Sequence, residues 1–373
     1  MEFTANQSDL HRALSIVSRA ISSRPLQPIL SNVLLHQDGD TLYLTATNLE
    51  LGITTYIPVE GMAEGSTTLP ARLLSDFVNR LPTGELVKVT HDTERESVRL
   101  SCGKVRTVIK GIAADDFPGI PATDEQIVTL DGTLLRDTIN LVAIAAAKDN
   151  TRPVFGGVLL RVQDHTLSLA ATNGYRIAFL DAPVEIDGTL DALVPALALT
   201  ELKRLLTDTD IDKRTVAIGM TANQIVFTLG ETVLLSRLLE GPFPDYRRMI
   251  PIDSPTVVTC SRVVLADAVR LAQLFAPEDS NFLYLTLAEG TLGLATATAE
   301  CGEHVGEIDA TLVGPPLQIG VDIRYLADGL GALACSEVSL SCTTPLAPLV
   351  LRDTENNGYV YLMGSMAKKS QLA

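Results

Sequence analysis

The cysteines and histidines are the side chains of this sequence best suited to chemistry. Their spacing is typical of structural residues and not of metal or catalytic sites. The cysteines are odd in number and form no CxxC pair, so we expect reduced and mostly buried thiols. The histidines lack metal-ligand spacing to another histidine or cysteine, which argues against a zinc site. We find no Walker-type phosphate loop, GxGxxG, HExxH or GxSxG motif. The sequence therefore predicts neither an enzyme nor a bound cofactor or metal. The residues concerned are Cys102, Cys260, Cys301, Cys335, Cys342, His11, His36, His91, His165 and His304.

Positive charges are concentrated on segments with helical spacing, although the formal net charge of the chain is −16. That sum alone argues against a nucleic-acid partner. Acidic residues instead crowd turns and strands, for example at Asp115 and Asp116. Two interpretations stay open: ordinary solvated helix faces, or a basic inner surface on an acidic body. The helical basic residues are Arg12, Arg19, Arg72, Arg80, Arg136, Lys203, Arg204, Arg262, Arg270 and Arg324.

One short motif occurs three times at a constant spacing. TLYLTATN begins at residue 41, TLSLAATN at 166 and TLGLATAT at 291, so the spacing is 125 residues both times. A period of this length is too long for a solenoid of small repeats. It predicts three domains of one fold, with proposed bounds 1–122, 123–251 and 252–373. Proline-rich junctions near Pro121 and Pro251 agree with these bounds.

The elements around the motif repeat as well. Helices are predicted over about 8–21, 133–147 and 261–275, with Ser8 and Ser261 as N-caps. Each is followed by a hairpin, for example Val158–Val162 with Leu167–Ala171, and the motif is the return strand. A second helix of each repeat is predicted to start near Pro70, Pro195 and Gly320, and further strands follow it.

Size and hydropathy predict a globular protein. The chain has 373 residues, of which 46% are apolar, and the longest apolar run falls far short of the ~20 residues that cross a bilayer. The N-terminal residues carry an early acid and no hydrophobic stretch, so no signal peptide is predicted. We therefore expect a cytoplasmic protein.

Four segments resemble the bacterial sliding clamp family, the beta subunits of DNA polymerase III holoenzyme. The segments are RPLQPILSNVLL at 24–35, ATNGYRIA at 171–178, FPDYRRMIP at 243–251 and, more loosely, YVYLMGSM at 359–366. The resemblance implies an α+β fold of three clamp domains, each made of two βαβββ halves. Two chains would join head to tail into a six-domain ring, with helices lining a hole for duplex DNA.

The resemblance also implies how DNA would be held. Basic residues would guide the duplex through weak, screened contacts, while closure of the ring would retain it. The residues implied to face DNA are Arg12, Arg24, Arg72, Lys148 and Arg204. The implied partners are double-stranded DNA, the DNA polymerase III catalytic subunit, the clamp loader, and other polymerases and repair proteins that carry clamp-binding peptides.

Those peptides would insert into an apolar cleft between the second and third domains. Methionine suits such a pocket because it adapts to several partners. Arg176 and Arg248 are expected at the rim, where they would hold polar groups of the peptide. The implied cleft residues are Thr172, Gly174, Tyr175, Arg176, Ile177, Pro244, Arg248, Met249, Tyr325, Leu362, Met363 and Met366.

The ring interface would join the first domain of one chain to the third domain of the other. An apolar centre should dominate its affinity, because exposed ion pairs contribute only ~0–1 kcal/mol each. The implied interface residues are Phe77, Leu81, Lys104, Arg106, Leu274, Glu300, Glu303 and Glu307.

Two segments depart from the family pattern. The tail has Gly364-Ser365 where relatives usually have a proline between apolar residues, so the far wall of the cleft should differ in shape. The helix after Pro195 begins with Ala196-Leu197, where relatives often carry a basic pair. The alternatives to a clamp are a peptide-binding adaptor that does not encircle DNA, and an enzyme with sites between repeated domains.

Overall fold

The computed structural model describes most of the chain. The described residues are 1–22, 24–119, 126–149, 151–186, 188–208, 215–251, 254–276, 281–298, 302–356 and 358–366. Their α-helices are α1 (Gln7–Val17), α2 (Ala71–Asn79), α3 (Gly132–Val142), α4 (Ala196–Thr207), α5 (Arg262–Gln273) and α6 (Ile323–Ala332).

The β-strands are numbered in chain order. The first thirteen are β1 (Glu2–Asn6), β2 (Asn32–Asp38), β3 (Thr41–Thr47), β4 (Leu51–Pro58), β5 (Glu60–Ala63), β6 (Gly65–Pro70), β7 (Leu86–Asp92), β8 (Ser97–Cys102), β9 (Val105–Lys110), β10 (Gln126–Asp131), β11 (Gly157–Gln163), β12 (Thr166–Thr172) and β13 (Arg176–Pro183). The others are β14 (Leu190–Pro195), β15 (Thr215–Met220), β16 (Gln224–Leu229), β17 (Thr232–Arg237), β18 (Thr256–Ser261), β19 (Phe282–Ala288), β20 (Thr291–Thr298), β21 (Gly302–Asp309), β22 (Thr311–Val313), β23 (Leu317–Asp322), β24 (Glu337–Cys342), β25 (Leu349–Asp353) and β26 (Tyr359–Met363).

The βαβββ pattern occurs six times along the described chain. Each of α1 to α6 lies between one strand and a run of three antiparallel strands, and β5 and β22 are short additions. This confirms the predicted α+β class and the two similar halves of each repeat.

The chain forms two compact units, 1–134 with 201–238, and 135–200 with 239–373. The first contains the sheet β5-β1-β7-β8-β9 and the sheet β10-β15-β16-β17-β4-β3-β2-β6. The second contains the sheet β14-β11-β12-β13-β26-β25-β24-β18-β22 and the sheet β21-β20-β19-β23. Strands of the middle repeat therefore contribute to both units, through the pairs β17–β4 and β13–β26.

The hairpins form where the sequence predicts them. Val158 pairs with Ala171, and Leu285 pairs with Leu294 in the third repeat. Gly39 and Gly290 adopt φ of +51° and +79°, a left-handed conformation that glycine reaches without steric cost.

Helix starts and ends differ from prediction by a few residues. Asn6 caps α1 by accepting a hydrogen bond from the Ser8 amide, so the predicted Ser8 cap is wrong. Ser261 does occupy the N-cap of α5, without a side-chain hydrogen bond. The first and third predicted helices of the chain were too long at the C-terminus, because 3₁₀ turns follow α1 and α3. Gly320 lies inside β23, and Asp322 caps α6 instead.

Packing of the helices follows the predicted apolar spacing. Leu10, Leu14 and Val17 of α1 are almost fully buried and α1 packs on β3 and β4. Each such side chain contributes roughly 1.5–3 kcal/mol on burial. No helix among the described residues is long and apolar enough to span a membrane.

The described cysteines are unpaired and buried, as predicted. They are Cys102, Cys260, Cys335 and Cys342, whereas Cys301 lies outside the described residues. Burial raises the pKa of Cys260 and of Cys335 to about 11, so both thiols stay protonated near neutral pH. Within the described residues, no group of three or more potential ligands could hold a metal ion.

Candidate functional site

The turn from β12 to β13 presents Tyr175 to solvent. Thr172 donates its hydroxyl hydrogen to the Arg176 carbonyl oxygen at 2.7 Å. The Asn173 side-chain oxygen accepts hydrogen bonds from the Tyr175 and Arg176 amides, both at 3.0 Å. Gly174 has a φ of +89°, so a side chain at this position would be strained. The result is a rigid turn on which the Tyr175 ring is 75% exposed.

The first repeat builds the same turn from the same motif. Asn48 accepts hydrogen bonds from the Glu50 and Leu51 amides, and the Thr47 hydroxyl donates to the Leu51 carbonyl oxygen. Residue Leu49 holds the left-handed position, with a φ of +75°. The repeated Ala-Thr-Asn sequence therefore specifies a local turn, and what the turn presents depends on the residues that follow it.

Arg176 is buried, which corrects the prediction that it lies at a rim. Its Nη1 donates to Asp328 Oδ2 at 2.6 Å and to the Tyr361 hydroxyl at 3.3 Å. The guanidinium also lies 4.4 Å from the centre of the Tyr325 ring. Burial alone would lower the pKa of Arg176, but the Tyr361 and Asp328 oxygens outweigh it and raise this pKa. Arg176 thus ties β13 to α6 and β26.

Replacing Arg176 with alanine is expected to destabilise the second unit by about 3 kcal/mol. The substitution leaves the buried Tyr361 hydroxyl and the partly exposed Asp328 carboxylate without their cation, and removal of a buried, hydrogen-bonded guanidinium is costly. The free energy of unfolding in urea, followed by tyrosine fluorescence, measures this loss. Arg324→Ala is the matched control, because the Arg324–Asp322 pair is 58% exposed on the arginine side. Equal stability of the two variants would contradict a structural role for Arg176.

A groove of about 870 Å³ opens beside this turn, within the second unit. Its wall combines cationic and aromatic side chains, with Arg152 5.5 Å from the centre of the Phe155 ring. Asn173 donates to the Tyr325 hydroxyl at 3.1 Å. The lining residues are Ala146, Ala147, Lys148, Asp149, Thr151, Arg152, Phe155, Asn173, Gly174, Tyr175, Arg176, Gln273, Arg324, Tyr325 and Asp328. Sequence reasoning missed Arg152, Phe155 and Asp328.

An apolar cluster covers the other face of the same sheet. Tyr246 is 5% exposed, and its ring centre lies 5.2 Å from that of Phe179. The cluster comprises Leu159, Ala170, Ile177, Phe179, Leu193, Tyr246, Val350, Val360 and Leu362, with Val154, Leu239, Phe243 and Ile250 packed against it. Arg176 and Ile177 are neighbours on β13 with side chains on opposite faces, so the groove and the cluster meet at this strand end.

Nine of the twelve predicted cleft residues, all except Arg176, Met363 and Met366, divide into three groups. Ile177 and Leu362 belong to the apolar cluster, where they form its floor. Tyr175, Arg248 and Met249 are exposed, and Arg248 pairs with Asp245 at 2.7 Å. Thr172 and Gly174 shape the turn, Tyr325 lines the groove, and Pro244 lies in the segment that covers the cluster.

Met363 differs from its predicted place in the cleft, because it is fully buried. Alternation along β26 puts Leu362 in the cluster and Met363 on the opposite face, with Tyr361. Beyond the strand, the Gly364 amide donates to the Tyr175 carbonyl oxygen and the Met366 amide donates to the Gly320 carbonyl oxygen, both at 2.8 Å. The atypical tail is therefore held against the groove.

A comparison of the repeats distinguishes some of the cluster residues that sequence reasoning missed, although not Leu159. In the first repeat, 125 positions earlier, Leu159 corresponds to Leu34, Phe179 to Thr54 and Leu193 to Thr68. Thr54 shares a 3.1 Å hydrogen bond with Thr45, the counterpart of Ala170. At these outward positions, other than that of Leu159, the first repeat has threonine and the second has an apolar residue. This difference indicates that the corresponding surface has a different function in the second repeat.

The predicted DNA-facing residues also fall into two groups. Arg24, Arg72 and Lys148 are exposed and have no ion pair among the described residues. Arg12 lies 3.7 Å from Asp9 and 3.9 Å from Glu231, and Arg204 lies 2.6 Å from Glu201. The helix faces therefore carry acids beside their arginines and are less basic than the sequence pattern suggested.

The predicted interface residues lie on or near two edge strands. Strand β9, with Arg106, is the edge of its sheet in the first unit, and Lys104 precedes it. Strand β21, with Glu303 and Glu307, is the edge of its sheet in the second unit. The two surfaces carry exposed apolar side chains, namely Leu73, Val105 and Val108 on one, and Leu271, Leu274 and Val305 on the other.

Three predicted interface residues are not among these exposed side chains. Leu81 is only 6% exposed within the chain, because it packs into the core behind α2, so it is not an exposed contact residue. Phe77 is half-buried on α2. Glu300 lies outside the described residues.

Models of three protein domains match the chain in order. They are the DNA polymerase III beta subunit N-terminal domain at residues 1–121, the central domain at 129–245 and the C-terminal domain at 247–367. The beta sliding clamp of Synechococcus elongatus is 34% identical, over 94% of this chain and 95% of that protein. The chain therefore belongs to the DNA polymerase III beta subunit family, the bacterial sliding clamps.

Solved structures agree with this assignment. The sliding clamp of Bartonella birtlesii bound to griselimycin has a TM-score of 0.93 and 29% identity, covering 98% of this chain and 100% of that chain. The Pseudomonas aeruginosa clamp bound to griselimycin has a TM-score of 0.91 and 28% identity, covering 98% and 99%.

Proposed function

We propose that this protein is the processivity factor of DNA polymerase III, a homodimeric ring that encircles duplex DNA and slides along it. The observation that carries the proposal is the match of three clamp domains, in order, along essentially the whole chain. A ring needs similar wedges that close by rotation, which gives a physical reason for the 125-residue repeat. The role is non-catalytic and belongs in the cytoplasm, where the chromosome is copied.

The two edge strands support a head-to-tail dimer. Strand β9 carries Arg106 and Lys110, whereas β21 carries Glu303, Glu307 and Asp309. Pairing of β9 with the β21 of a second chain would satisfy both open edges and bring opposite charges together. The exposed apolar side chains of the two surfaces would supply the buried centre of the interface.

The proposed hold on DNA is topological. Arg24, Arg72 and Lys148 would guide the duplex through exposed contacts that salt screens, while Arg12 and Arg204 would first have to leave their acidic neighbours. Weak contacts of this kind permit sliding. Retention would come from closure of the ring, so it should persist at high salt.

The groove and the apolar cluster together form the proposed site for partner peptides. The cluster would take aliphatic and aromatic anchors of a peptide, and the Lys148 to Tyr325 groove would take its polar residues. Partners would be the polymerase III catalytic subunit, the clamp loader, and other polymerases and repair proteins. Since two related clamps are bound to griselimycin, we propose that this compound binds the same cleft.

Retention on DNA tests the ring directly. The protein is loaded onto a nicked circular plasmid by a clamp loader and passed over a sizing column in high salt, before and after the circle is cut. We expect it to stay on the circle and leave the linear DNA. Retention on both would mean that the protein grips DNA directly. If a clamp that the same loader handles is retained and this one is not, the non-encircling adaptor becomes the better proposal.

A further inference from the structure

The wall of the apolar cluster includes a short segment that is not part of the sheet. Residues 243–250 cover the cluster and contain a 3₁₀ turn, Tyr246–Met249. Tyr246 is inserted into the cluster, whereas the Arg248 side chain is 86% exposed and Met249 is 49% exposed. A single turn has little stability of its own, so its position depends on the contacts that fasten it.

One ion pair fastens this segment to the sheet. Arg247 Nη2 donates to both carboxylate oxygens of Asp181, at 3.0 and 2.8 Å. The Ser168 hydroxyl donates to Asp181 Oδ1 at 2.6 Å, which orients the carboxylate from the neighbouring strand. The Asp181 amide donates to the Gly358 carbonyl oxygen at 3.1 Å, so its backbone is held as well. Asp181 and Ser168 thus form an anchor on the sheet, and Arg247 attaches the segment to it.

The Arg247 guanidinium also packs over the Tyr246 ring. It lies 5.4 Å from the centre of the Tyr246 ring, which packs against Phe179 and Phe243. Partial burial alone would lower the pKa of Arg247, but the bond to Asp181 outweighs it and raises this pKa, so the pair stays ionised.

We propose that Arg247 and Asp181 are positioning residues that hold the 243–250 segment so that Met249 and Arg248 face a bound peptide. The inference rests on the proposed peptide-binding function of the cleft. Without the Arg247–Asp181 pair, the 243–250 segment occupies its binding-competent position for only part of the time. Part of the binding free energy of the ligand is then used to order the segment. The apparent affinity then falls in proportion to that fraction, although neither carboxylate oxygen of Asp181 touches the ligand.

The repeats support a dedicated role for this pair. At the positions that match Asp181 in the strand pairing, the first repeat has Tyr56 and the third has Glu307, and for Ser168 they have Tyr43 and Gly293. The first junction, ADDFPGIP, also has no arginine. An acid with a serine opposite it therefore occurs in the repeat whose outward face carries the apolar cluster and in neither of the other two, so the shared fold does not require the anchor.

A double-mutant cycle tests the proposal with griselimycin as the probe, by surface plasmon resonance on the full-length protein. We expect Asp181→Asn and Arg247→Gln each to raise the Kd about 5- to 20-fold, mainly through slower association, and the double variant to resemble the single ones. The Arg161–Asp191 pair, 2.7 Å apart on the same face, is the matched control. Arg161→Gln with Asp191→Asn should change the Kd by less than about twofold.

Three results would overturn the proposal. An Arg247→Gln effect without an Asp181→Asn effect would mean that Arg247 contacts the ligand itself. An equal loss in the control pair would indicate a general effect of surface charge. Hydrogen exchange without ligand provides the third test, because the amides of 243–250 should exchange faster in Asp181→Asn than in the wild type. Absence of griselimycin binding to the wild type would refute the cleft, while unchanged exchange would refute the positioning role.

Discussion

Replacing Leu274 with lysine is expected to convert the protein from a dimer to a monomer at micromolar concentration. Leu274 is the C-cap of α5 and is 71% exposed, and Leu271 and Val305 are further exposed apolar residues of the same surface. In the proposed interface it would be covered by the partner's β9 surface, where Lys104 and Arg106 repel an added cation. Loss of the leucine together with an unpaired charge should cost about 3 kcal/mol at each interface.

Closure of the ring through two interfaces doubles the loss of dimerisation free energy. A head-to-tail dimer of this kind has two equivalent interfaces, so the two losses sum to roughly 6 kcal/mol, or about 10⁴-fold in the dimer Kd. Sedimentation equilibrium measures that constant. Val313→Lys is the control, because Val313 is 65% exposed on β22, the edge strand of a sheet that contains neither β9 nor β21. A Leu274→Lys protein that remains dimeric, with the Kd of the control, would refute the proposed interface.

Replacing Met249 with glutamate should weaken griselimycin binding about 30-fold. Met249 is the exposed apolar side chain of the 243–250 segment, and its neighbour Ile250 packs against the apolar cluster that contains Ile177 and Leu362. The substitution removes an adaptable apolar contact and places a carboxylate where the ligand would desolvate it. Together these effects amount to about 2 kcal/mol, which corresponds to the expected change in Kd.

Isothermal titration calorimetry can measure this change. Met62→Glu is a close control, because Met62 is 51% exposed on β5 and belongs to the other unit. Because Met249 is half exposed, its replacement should leave the thermal midpoint and the dimer Kd unchanged. Wild-type affinity in the Met249→Glu protein would show that griselimycin binds elsewhere.

Local features of the fold were predictable because their causes lie within a few residues. The hairpins follow from alternating apolar residues and from turn residues such as Gly39 and Gly290 that accept a positive φ. Helix ends were less predictable, because neighbouring groups compete to cap them. Asn6 and Ser8 are both good capping residues, and only the strand that precedes α1 decides that Asn6 is the cap.

The candidate site was only partly predictable from the sequence. Tyr175, Ile177, Met249 and Leu362 were identified through the resemblance, and their roles remain proposals. Arg176 was expected at a rim, yet Asp328, 152 positions away, holds it in the interior. No local pattern distinguishes a buried arginine from an exposed one, since the partner that compensates its charge comes from a distant element.

Periodicity and short motifs are enough to establish the three-fold repeat, the α+β class and the family. The set of side chains that share a surface depends instead on the tertiary structure. Leu159 and Val360 meet in one cluster although 201 residues separate them, and Leu362 and Met363 point to opposite faces although they are adjacent. The reason is that pairing of β13 with β26 fixes the face of every side chain on both strands, and this pairing joins two different repeats.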